Sequence, residues 1–322
     1  MAWYIFRELL GKRYILYILA VLIVLISGFW KSNQLTTMIE NKLYQNNIIY
    51  NKQTSYQKII VTANHGRIQF YINGAIQFDS IDEHRYHESL VHPTMMTAKA
   101  HENILIIGGG DGMALREVLK YDDVENITLV DLDPAITTLF KENPTLSKLN
   151  NNAYKSNKVT VINQDAWKFI ENSKILYDVI ILDLPDPNNI SLSRLYSKTF
   201  YELLKGQLSK VGAMVTQASS PMFSHKAFWS IKKTMQSTNL YTQPYHTYIP
   251  SFGEWGFVLV SHLPIKFKEN EPIKTLKYLN KEVMNKMTIF AKDIDEIDVE
   301  INKLSNHKLI GYYDEGWKKW YE

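Results

Sequence analysis

From residue 93 onward, the chain alternates short apolar segments with amphipathic ones, and this rhythm sets the strongest limit on its fold. Strands that alternate with helical segments of such length are typical of βαβ units, in which helices connect parallel strands. Apolar strands are predicted at residues 103–107, 126–130, 159–162, 179–182, 213–217 and 257–261. Helices are predicted to begin near residues 114, 134, 197 and 226. The sequence therefore predicts an α/β fold with a doubly wound, Rossmann-like sheet.

A smaller β-rich segment precedes the alternating part of the chain. Strands are predicted there at residues 58–62, 67–72 and 75–78. The pair Asn73-Gly74 lies between the last two strands and suits a two-residue hairpin turn, because both central positions of that turn need positive φ. We therefore expect a small antiparallel β domain ahead of the larger sheet.

The amino-terminal segment differs in character, because residues 14–30 carry no charged side chain. As a helix, this segment spans about 26 Å at about 1.5 Å per residue, at the short end of what crosses a hydrocarbon core. Basic residues lie on both sides of it, among them Arg13 and Lys31. We predict a single-pass membrane anchor, with a cleaved signal peptide and a buried core helix as the alternatives.

Composition excludes several classes of site. The chain has 322 residues and a net charge of +3, from 36 basic and 33 acidic residues, and it contains no cysteine. The lack of cysteine excludes disulfides, thiolate metal sites and cysteine nucleophiles. The sequence shows no basic stripe of the kind that binds nucleic acid, so we expect no nucleic-acid partner.

A glycine-rich turn follows the first strand of the alternating part, in the sequence ILIIGGGDGMALREVLK. Its glycines, among them Gly108 and Gly110, allow a tight turn and a close approach of the backbone to a ligand. The dinucleotide pattern G-x-G-x-x-G is not met, because Met113 occupies its last position. Asp111 within the turn would repel a phosphate, so it suits a ligand with a cationic group.

Acidic residues follow the predicted strands at four places: Asp111, Asp131, Asp165 and Asp183. The carboxyl ends of the strands are where ligands bind in such sheets. Asp131 lies about twenty residues beyond the glycine turn, where a carboxylate binds ribose hydroxyls, and Asp165, next to Ala166, can accept from an adenine amino group. The alternative is that each acid simply ends a strand before a solvated turn. The arrangement resembles the nucleoside-binding fold of S-adenosylmethionine-dependent methyltransferases.

An ordered set of motifs resembles the polyamine aminopropyltransferases, chiefly spermidine synthase, and among them the members with amino-terminal transmembrane segments. The resemblance covers roughly residues 54–261. It rests on SYQKI, DEHRYHESLVHP, IGGGDGMALREVL, VDLDP, QDA, DLPDP, LYSKTFYELL and PSFGEWGF, in that order.

The resemblance implies a reaction and a set of site residues. The donor would be decarboxylated S-adenosylmethionine, with no metal and no prosthetic group, and the acceptor would be putrescine or a related amine. Asp183 would be the general base. The donor would be bound by Gln57, Gly108, Gly110, Asp111, Asp131, Asp165 and Ala166. The acceptor would be bound by Tyr86, His87, Asp111, Asp183, Asp186 and Tyr248.

The family likeness also implies a homodimer or higher homo-oligomer. The basic flank of the predicted anchor favours an inside amino terminus and an outside remainder. The donor is made in the cytosol, however, so we expect a cell-membrane protein with its catalytic domain in the cytoplasm. The resulting division of the chain is an anchor at residues 1–31, a linker at 32–55, a small β domain at 56–92, a Rossmann-like catalytic domain at 93–265 and a helical tail at 266–322.

Two other functions remain open from the sequence. One is an S-adenosylmethionine-dependent methyltransferase of the same fold, and the other is a non-catalytic, membrane-anchored polyamine-binding protein. Departures from the family pattern lie mainly on the acceptor side, at residues 188–190 and at Glu254, and they leave the identity of the amine open. Arg116 and Glu117, which follow the glycine turn, are expected on a helix surface.

Overall fold

A computed structural model describes residues 12–44, 46–269 and 271–321 of the chain. Within these residues the strands form a four-stranded and a seven-stranded sheet. The strands are β1 (Asn47–Gln53), β2 (Lys58–Asn64), β3 (Arg67–Ile72), β4 (Ala75–Asp79), β5 (Asn103–Gly108), β6 (Asn126–Asp131), β7 (Val159–Asn163), β8 (Tyr177–Asp183), β9 (Leu208–Gln217), β10 (Tyr241–Ile249) and β11 (Gly253–Ser261).

Helices connect and cover these strands. The α-helices are α1 (Lys12–Leu43), α2 (Glu83–Thr97), α3 (Met113–Val118), α4 (Pro134–Glu142), α5 (Pro144–Leu149), α6 (Ala166–Asn172), α7 (Ile190–Ser193), α8 (Lys198–Gln207), α9 (His225–Gln236), α10 (Lys281–Met287) and α11 (Lys308–Tyr321). Short 3-10 helices occupy Ala153–Lys155, Arg194–Tyr196 and Phe267–Glu269.

The larger sheet has the strand order β10-β11-β9-β8-β5-β6-β7. Strands β5 to β9 run parallel, whereas β11 pairs antiparallel with β9 and β10 pairs antiparallel with β11. The predicted α/β fold is confirmed, with a mixed sheet. Because β5 lies between β6 and β8, the strand order reverses on its two sides, and the crevice beyond its carboxyl end is where ligands bind in open α/β sheets.

The central strand β5 explains why this sheet is buried on both faces. Ile104 and Ile106 pack into one hydrophobic cluster, which includes residues of α2, and Leu105 and Ile107 pack into a second cluster, which includes residues of α8 and α9. Successive side chains of a strand point to opposite faces. A continuous apolar run is therefore the pattern that a strand covered on both faces requires.

The smaller sheet is antiparallel and has the order β1-β2-β3-β4. Its last hairpin turns at Asn73 and Gly74, with φ of +49° and +85°, so the predicted turn is confirmed. The segment predicted as a linker, residues 32–55, instead contains the end of α1 and the edge strand β1, which pairs with β2. The sequence analysis did not predict β1 because this strand contains several polar residues. An edge strand buries little apolar surface and therefore tolerates such a sequence.

The predicted membrane anchor is wrong. Residues 14–30 lie in α1, and among the described residues the structure contains no helix with the length and apolar character needed to cross a membrane. The uncharged segment of about 26 Å is at the short end of what crosses a hydrocarbon core, and Lys31 follows it directly. The same finding overturns the expected cell-membrane location. The first residues of the predicted anchor, 1–11, lie outside the described residues.

The carboxy-terminal segment is only partly helical and returns to pack on the larger sheet. Glu88 of α2 is fully buried. Its carboxylate accepts from the backbone N–H groups of Lys277, Tyr278 and Leu279 at 2.8, 2.9 and 3.0 Å. One buried carboxylate thereby fixes the path of the chain ahead of α10.

This contact predicts a loss of stability for Glu88→Gln. An amide in place of the carboxylate leaves at least one of the three backbone donors facing an NH2 group, so we expect the free energy of unfolding to fall by about 2 kcal/mol. Urea denaturation measures the effect. Glu282→Gln, at an exposed position in α10, is the matched control and should change the value by less than about 0.5 kcal/mol. Equal unfolding midpoints for the two variants would contradict the assignment.

Candidate active site

The glycine turn and Asp183 are joined through the backbone. Gly108 pairs with Asp183 in the sheet, and Gly109 N donates to the Asp183 carbonyl at 3.0 Å. Gly108 has φ +80°, and a Cβ at this position would lie 2.1 Å from the Asp183 carbonyl oxygen. Only glycine allows β5 to end this close to β8.

Asp131 is held against the same turn from the other side. Its carboxylate accepts from Gly110 N at 3.1 Å and from Asp133 N at 2.9 Å. A Cβ at Gly110 would lie 2.6 Å from Asp131 Oδ2, so a side chain there would displace the carboxylate. Burial, with the charges of Asp133 and Asp111, raises the pKa of Asp131 to about 6, although the two N–H groups lower it.

Gln57 reaches the site through Asp133, a residue that the sequence analysis did not single out. Gln57 Nε2 donates to Asp133 Oδ2 at 3.1 Å, and Thr54 Oγ1 donates to the same oxygen at 2.7 Å. Asp133 also caps α4, since its Oδ1 accepts from Ala135 N at 3.0 Å. Asp133 therefore ties the small sheet to the end of β6, and its place in the VDLDP motif was the available signal.

Asp165 and Ala166 lie at the start of α6, beyond the end of β7. Asp165 caps this helix by accepting from Lys168 N at 3.1 Å, and it forms an ion pair with Arg194. The predicted pair is thus at the carboxyl edge of the sheet, where its aspartate orients a helix terminus. Arg194 was missed because it lies 29 residues farther along the chain.

Three predicted residues meet at the tip of β8. Tyr86 Oη donates to Asp183 Oδ1 at 2.7 Å, and the rings of Tyr86 and His87 pack edge to face at 5.0 Å. Burial raises the pKa of Asp183, while the charge of His87 and the Tyr86 hydrogen bond lower it. Burial also raises the pKa of Asp111 to about 6. The charge of His87 lowers this pKa, and the charge of Asp183 raises it. The tip of β8 is thus a cluster of carboxylates close to one imidazole.

A second layer of charges supports His87. Its Nδ1 lies 2.9 Å from Glu83 Oε2, and Arg116 Nη1 and Nη2 bind the two Glu83 carboxylate oxygens at 2.9 and 2.8 Å. Burial lowers the pKa of His87, but Glu83, Asp111 and Asp183 raise it to about 9. Burial likewise raises the pKa of Glu83, yet His87 and Arg116 hold it at about 2. The contact with Glu83 therefore favours the imidazolium form of His87.

The expectation that Arg116 and Glu117 lie on a helix surface is wrong. Glu117 is 1% exposed and binds His92 Nε2 at 2.8 Å and Arg116 Nε at 2.8 Å. The short helix α3 packs against α2, so its charged side chains face partners on that helix. In the sequence, Arg116 and Glu117 look like part of a solvent-exposed helix face. Their ion pairs become apparent only from the packing of α3 against α2.

Asp186 lies beyond the tip of β8 and is surrounded by uncharged donors. Gln217 Nε2 lies 3.3 Å from Asp186 Oδ1, and Ser219 Oγ lies 3.4 Å from Oδ2. Burial raises the pKa of Asp186 to about 6, and hydrogen bonding with Tyr313, Gln217 and Ser219 lowers it. The sequence analysis did not single out Gln217 or Ser219.

Tyr248 stands apart from these residues. Its side chain is 54% exposed on β10. The described contact at this residue is through its backbone carbonyl, which accepts from Arg85 Nη1 at 3.1 Å. The structure therefore does not bring Tyr248 into the group of buried carboxylates.

Comparison with known proteins gives the family. Residues 83–269 match the family model of the spermine/spermidine synthase domain. The chain belongs to this family. The resemblance inferred from the ordered motifs is thereby confirmed, and the match includes Tyr86, the glycine turn and Asp183.

Curated relatives of the spermidine synthase family are close in sequence but longer. The polyamine aminopropyltransferase of Leptospira interrogans is 46% identical over 93% of this chain and 60% of that protein. That of Oceanobacillus iheyensis is 44% identical over 92% of this chain and 59% of that protein. The chain thus spans about 60% of the length of these relatives. A spermidine synthase solved with the transition-state analogue AdoDATO has the same fold, with a TM-score of 0.72, 24% identity and coverage of 82% of this chain and 88% of that one.

The glycine turn of this family member gives a second prediction. Gly108→Ala should lower the free energy of unfolding by about 2 kcal/mol or more, because alanine is strained at positive φ and its Cβ meets the Asp183 carbonyl. Gly206→Ala is the control, since nothing lies within 4 Å of a Cβ added there, and it should be neutral or slightly stabilising. Thermal and urea unfolding of both variants measure the difference. Equal stability of the two alanine variants would show that the turn tolerates a side chain.

Proposed function

We propose that this chain carries a polyamine aminopropyltransferase activity. It transfers the aminopropyl group of decarboxylated S-adenosylmethionine to putrescine or a related amine, giving spermidine and methylthioadenosine. The observation that carries the proposal is the carboxylate of Asp183, which lies at the tip of β8, beside the glycine turn and within hydrogen-bond distance of Tyr86. The crevice at the carboxyl end of β5 supports a Rossmann-like fold of the S-adenosylmethionine-dependent methyltransferase type.

The proposed chemistry is a displacement at carbon. An alkylamine has a pKa near that of lysine, about 10.4, and must lose a proton to attack. Asp183 takes this proton as the nitrogen lone pair bonds the propyl carbon beside the sulfonium. The carbon–sulfur bond breaks with its electron pair going to sulfur, so the leaving group is the neutral thioether. Burial raises the pKa of Asp183, which makes its carboxylate a better proton acceptor near neutral pH.

The donor is proposed to lie across the glycine turn. Asp131 would bind the ribose hydroxyls, and Asp165 with Ala166 would lie along the adenine. Gly108 and Gly110 would shape the donor site, because a side chain at either position would displace Asp183 or Asp131. Gln57 would act at the edge of the donor site through its hydrogen bond to Asp133. Asp111 would hold the ammonium group of the propylamine arm. The carboxylates at this edge of the sheet support a donor with a free amine and a sulfonium charge.

The acceptor is proposed to lie on the far side of Asp183. Asp186 would bind an ammonium group, and Tyr86 would orient the base through its hydrogen bond to Asp183. His87 would balance the charge of the neighbouring carboxylates. Tyr248, which is exposed, stays a prediction as an acceptor contact. We also propose assembly into a homodimer or higher homo-oligomer, which light scattering can test.

The reaction itself is tested by incubating the protein with decarboxylated S-adenosylmethionine and a panel of amines. Mass spectrometry should find methylthioadenosine and an amine lengthened by one aminopropyl group. Release of S-adenosylhomocysteine from S-adenosylmethionine would instead identify a methyltransferase. Binding of polyamine without either product would overturn the enzymatic proposal.

Asp183→Asn should abolish most of this activity. The amide cannot take the amine proton, so kcat should fall by about 10²- to 10⁴-fold, while donor binding measured by calorimetry should persist. Asp293→Asn, at an exposed position, is the control and should keep wild-type kcat. Turnover in Asp183→Asn equal to that of the control would rule out this residue as the base.

The rate should also depend on pH in the acidic range. Burial raises the pKa of Asp111, Asp131 and Asp186 to about 6. Below that pH these groups are protonated and lose the charge that holds the cationic substrates. We therefore expect kcat/KM to fall as the pH drops through about 6. A profile from about pH 5 to pH 8 measures the effect, and a flat profile across that range would contradict it.

A further inference from the structure

Arg116 joins the helix that follows the glycine turn to the helix that carries Tyr86 and His87. Its Nη1 and Nη2 donate to the two Glu83 carboxylate oxygens at 2.9 and 2.8 Å. Its Nη1 also donates to the Leu149 carbonyl oxygen at 2.8 Å. The guanidinium therefore holds α3 against α2 and against the end of α5.

The contact is shielded from water and is reinforced by a second carboxylate. The side chain of Arg116 is 9% exposed, and those of Glu83 and Glu117 are 7% and 1% exposed. Glu117 binds Arg116 Nε at 2.8 Å and also binds His92 Nε2 of α2 at 2.8 Å. The planar guanidinium fork suits such a set of partners, whereas the ammonium of a lysine cannot form two parallel bonds to one carboxylate.

Asp111 is attached to the start of the same short helix. Its Oδ1 accepts from the backbone N–H of Met113, the first residue of α3, at 2.8 Å. Its backbone carbonyl accepts from Asn150 Nδ2 at 2.9 Å, and Asn150 directly follows the residue whose carbonyl binds Arg116. A shift of α3 or of residues 149–150 would therefore move the Asp111 carboxylate.

His87 is fixed by the other side of the same contact. Glu83 Oε2 accepts from Arg116 Nη2 and lies 2.9 Å from His87 Nδ1. The Glu83 carboxylate thus has its position set by the guanidinium and passes this position on to the imidazole. One arginine thereby fixes His87 on α2 and Asp111 ahead of α3 relative to each other.

We infer that Arg116 is a positioning residue for the donor: by fixing α3 against Glu83, it holds Asp111 where this carboxylate binds the ammonium group of the aminopropyl arm. The inference rests on the proposed function, in which Asp111 holds that group, and adds a residue that acts through Asp111. Asp131 is oriented by backbone N–H groups on the other flank of the turn. The affected quantity is therefore the part of the donor affinity that comes from its amine.

The test compares two ligands that differ only in this amine: decarboxylated S-adenosylmethionine and its deamino analogue, in which a propyl group replaces the aminopropyl arm. Calorimetry without an acceptor gives a Kd for each ligand, and the ratio of the two reports the contribution of the amine. We expect the wild type to bind the donor about 10- to 100-fold more tightly than the analogue, as a hydrogen bond to a charged group is worth.

Arg116→Lys keeps the positive charge but loses the fork that binds Glu83 and Leu149 together. We expect it to lower the preference for the donor about fivefold or more, with the Kd of the deamino analogue within about twofold of the wild-type value. An unchanged preference would overturn the inference, as would equal weakening of both ligands, which is the result of a merely structural role.

Lys120→Gln is the matched control. Lys120 Nζ binds Glu117, so this substitution removes a cation from the network while Arg116 and Glu83 keep their contact, and the preference should stay at the wild-type value. A loss of preference equal to that of Arg116→Lys would contradict a specific role of the guanidinium. If Arg116→Lys gives no folded protein, Glu83→Gln tests the same contact from α2, and an unchanged preference in that variant would overturn the inference.

A double-mutant cycle with Asp111→Asn tests the route of the effect. If Arg116 acts through Asp111, Arg116→Lys should change the preference for the donor little in the Asp111→Asn background. Independent, multiplying effects of the two substitutions would show that Arg116 does not act through this carboxylate.

Product formation separates this inference from the proposed reaction. A wild-type protein that prefers the donor to its deamino analogue, loses this preference as Arg116→Lys and yet converts no amine would sink the reaction and keep the positioning role. A reactive wild-type protein whose preference survives in Arg116→Lys would sink the positioning role alone. A wild type that binds neither ligand would sink both.

Discussion

The site depends on the close contact between the end of β5 and the end of β8. Gly109 N bonds the Asp183 carbonyl at 3.0 Å, and the positive φ of Gly108 turns the chain away immediately afterwards. This contact fixes the position of Asp183 relative to the glycine turn. It also places Asp131 on the opposite flank, because its carboxylate bonds Gly110 N. Backbone geometry at Gly109 and Gly110 thus determines where Asp183, the proposed base, and Asp131, the proposed ribose ligand, lie relative to each other.

The site also places several carboxylates together in a poorly solvated space. Burial opposes their ionisation and raises the pKa values of Asp111 and Asp183. The protonated His87 offsets part of this cost, and Glu83 with Arg116 holds its charge in place. With all five groups ionised, one negative charge remains uncompensated. A cationic substrate can supply the missing charge, so an arrangement that is unfavourable for the empty site favours binding.

Much of this site could be predicted from the sequence because it follows strand ends. Asp131, Asp165 and Asp183 lie at the carboxyl edge of the sheet, where the alternation of strands and helices predicts them. The glycine at position 108 is found in a turn, as predicted, and its positive φ explains why glycine is needed there. The remaining parts depend on tertiary packing. Arg116 binds a glutamate 33 residues away, and Gln217 binds an aspartate 31 residues away. The N-terminal apolar segment shows the opposite error, since local hydropathy alone predicted a membrane span that α1 does not provide.

The two halves of the site are oriented by different kinds of group. Backbone N–H groups orient the carboxylates of Asp111 and Asp131, which are proposed to bind the donor, and backbone N–H groups change position only if the fold changes. The side chains of Gln217 and Ser219 orient Asp186 instead, and a single substitution can alter each of them while the backbone stays in place. In the proposed reaction, specificity for the amine can therefore change while the contacts proposed for the donor are kept.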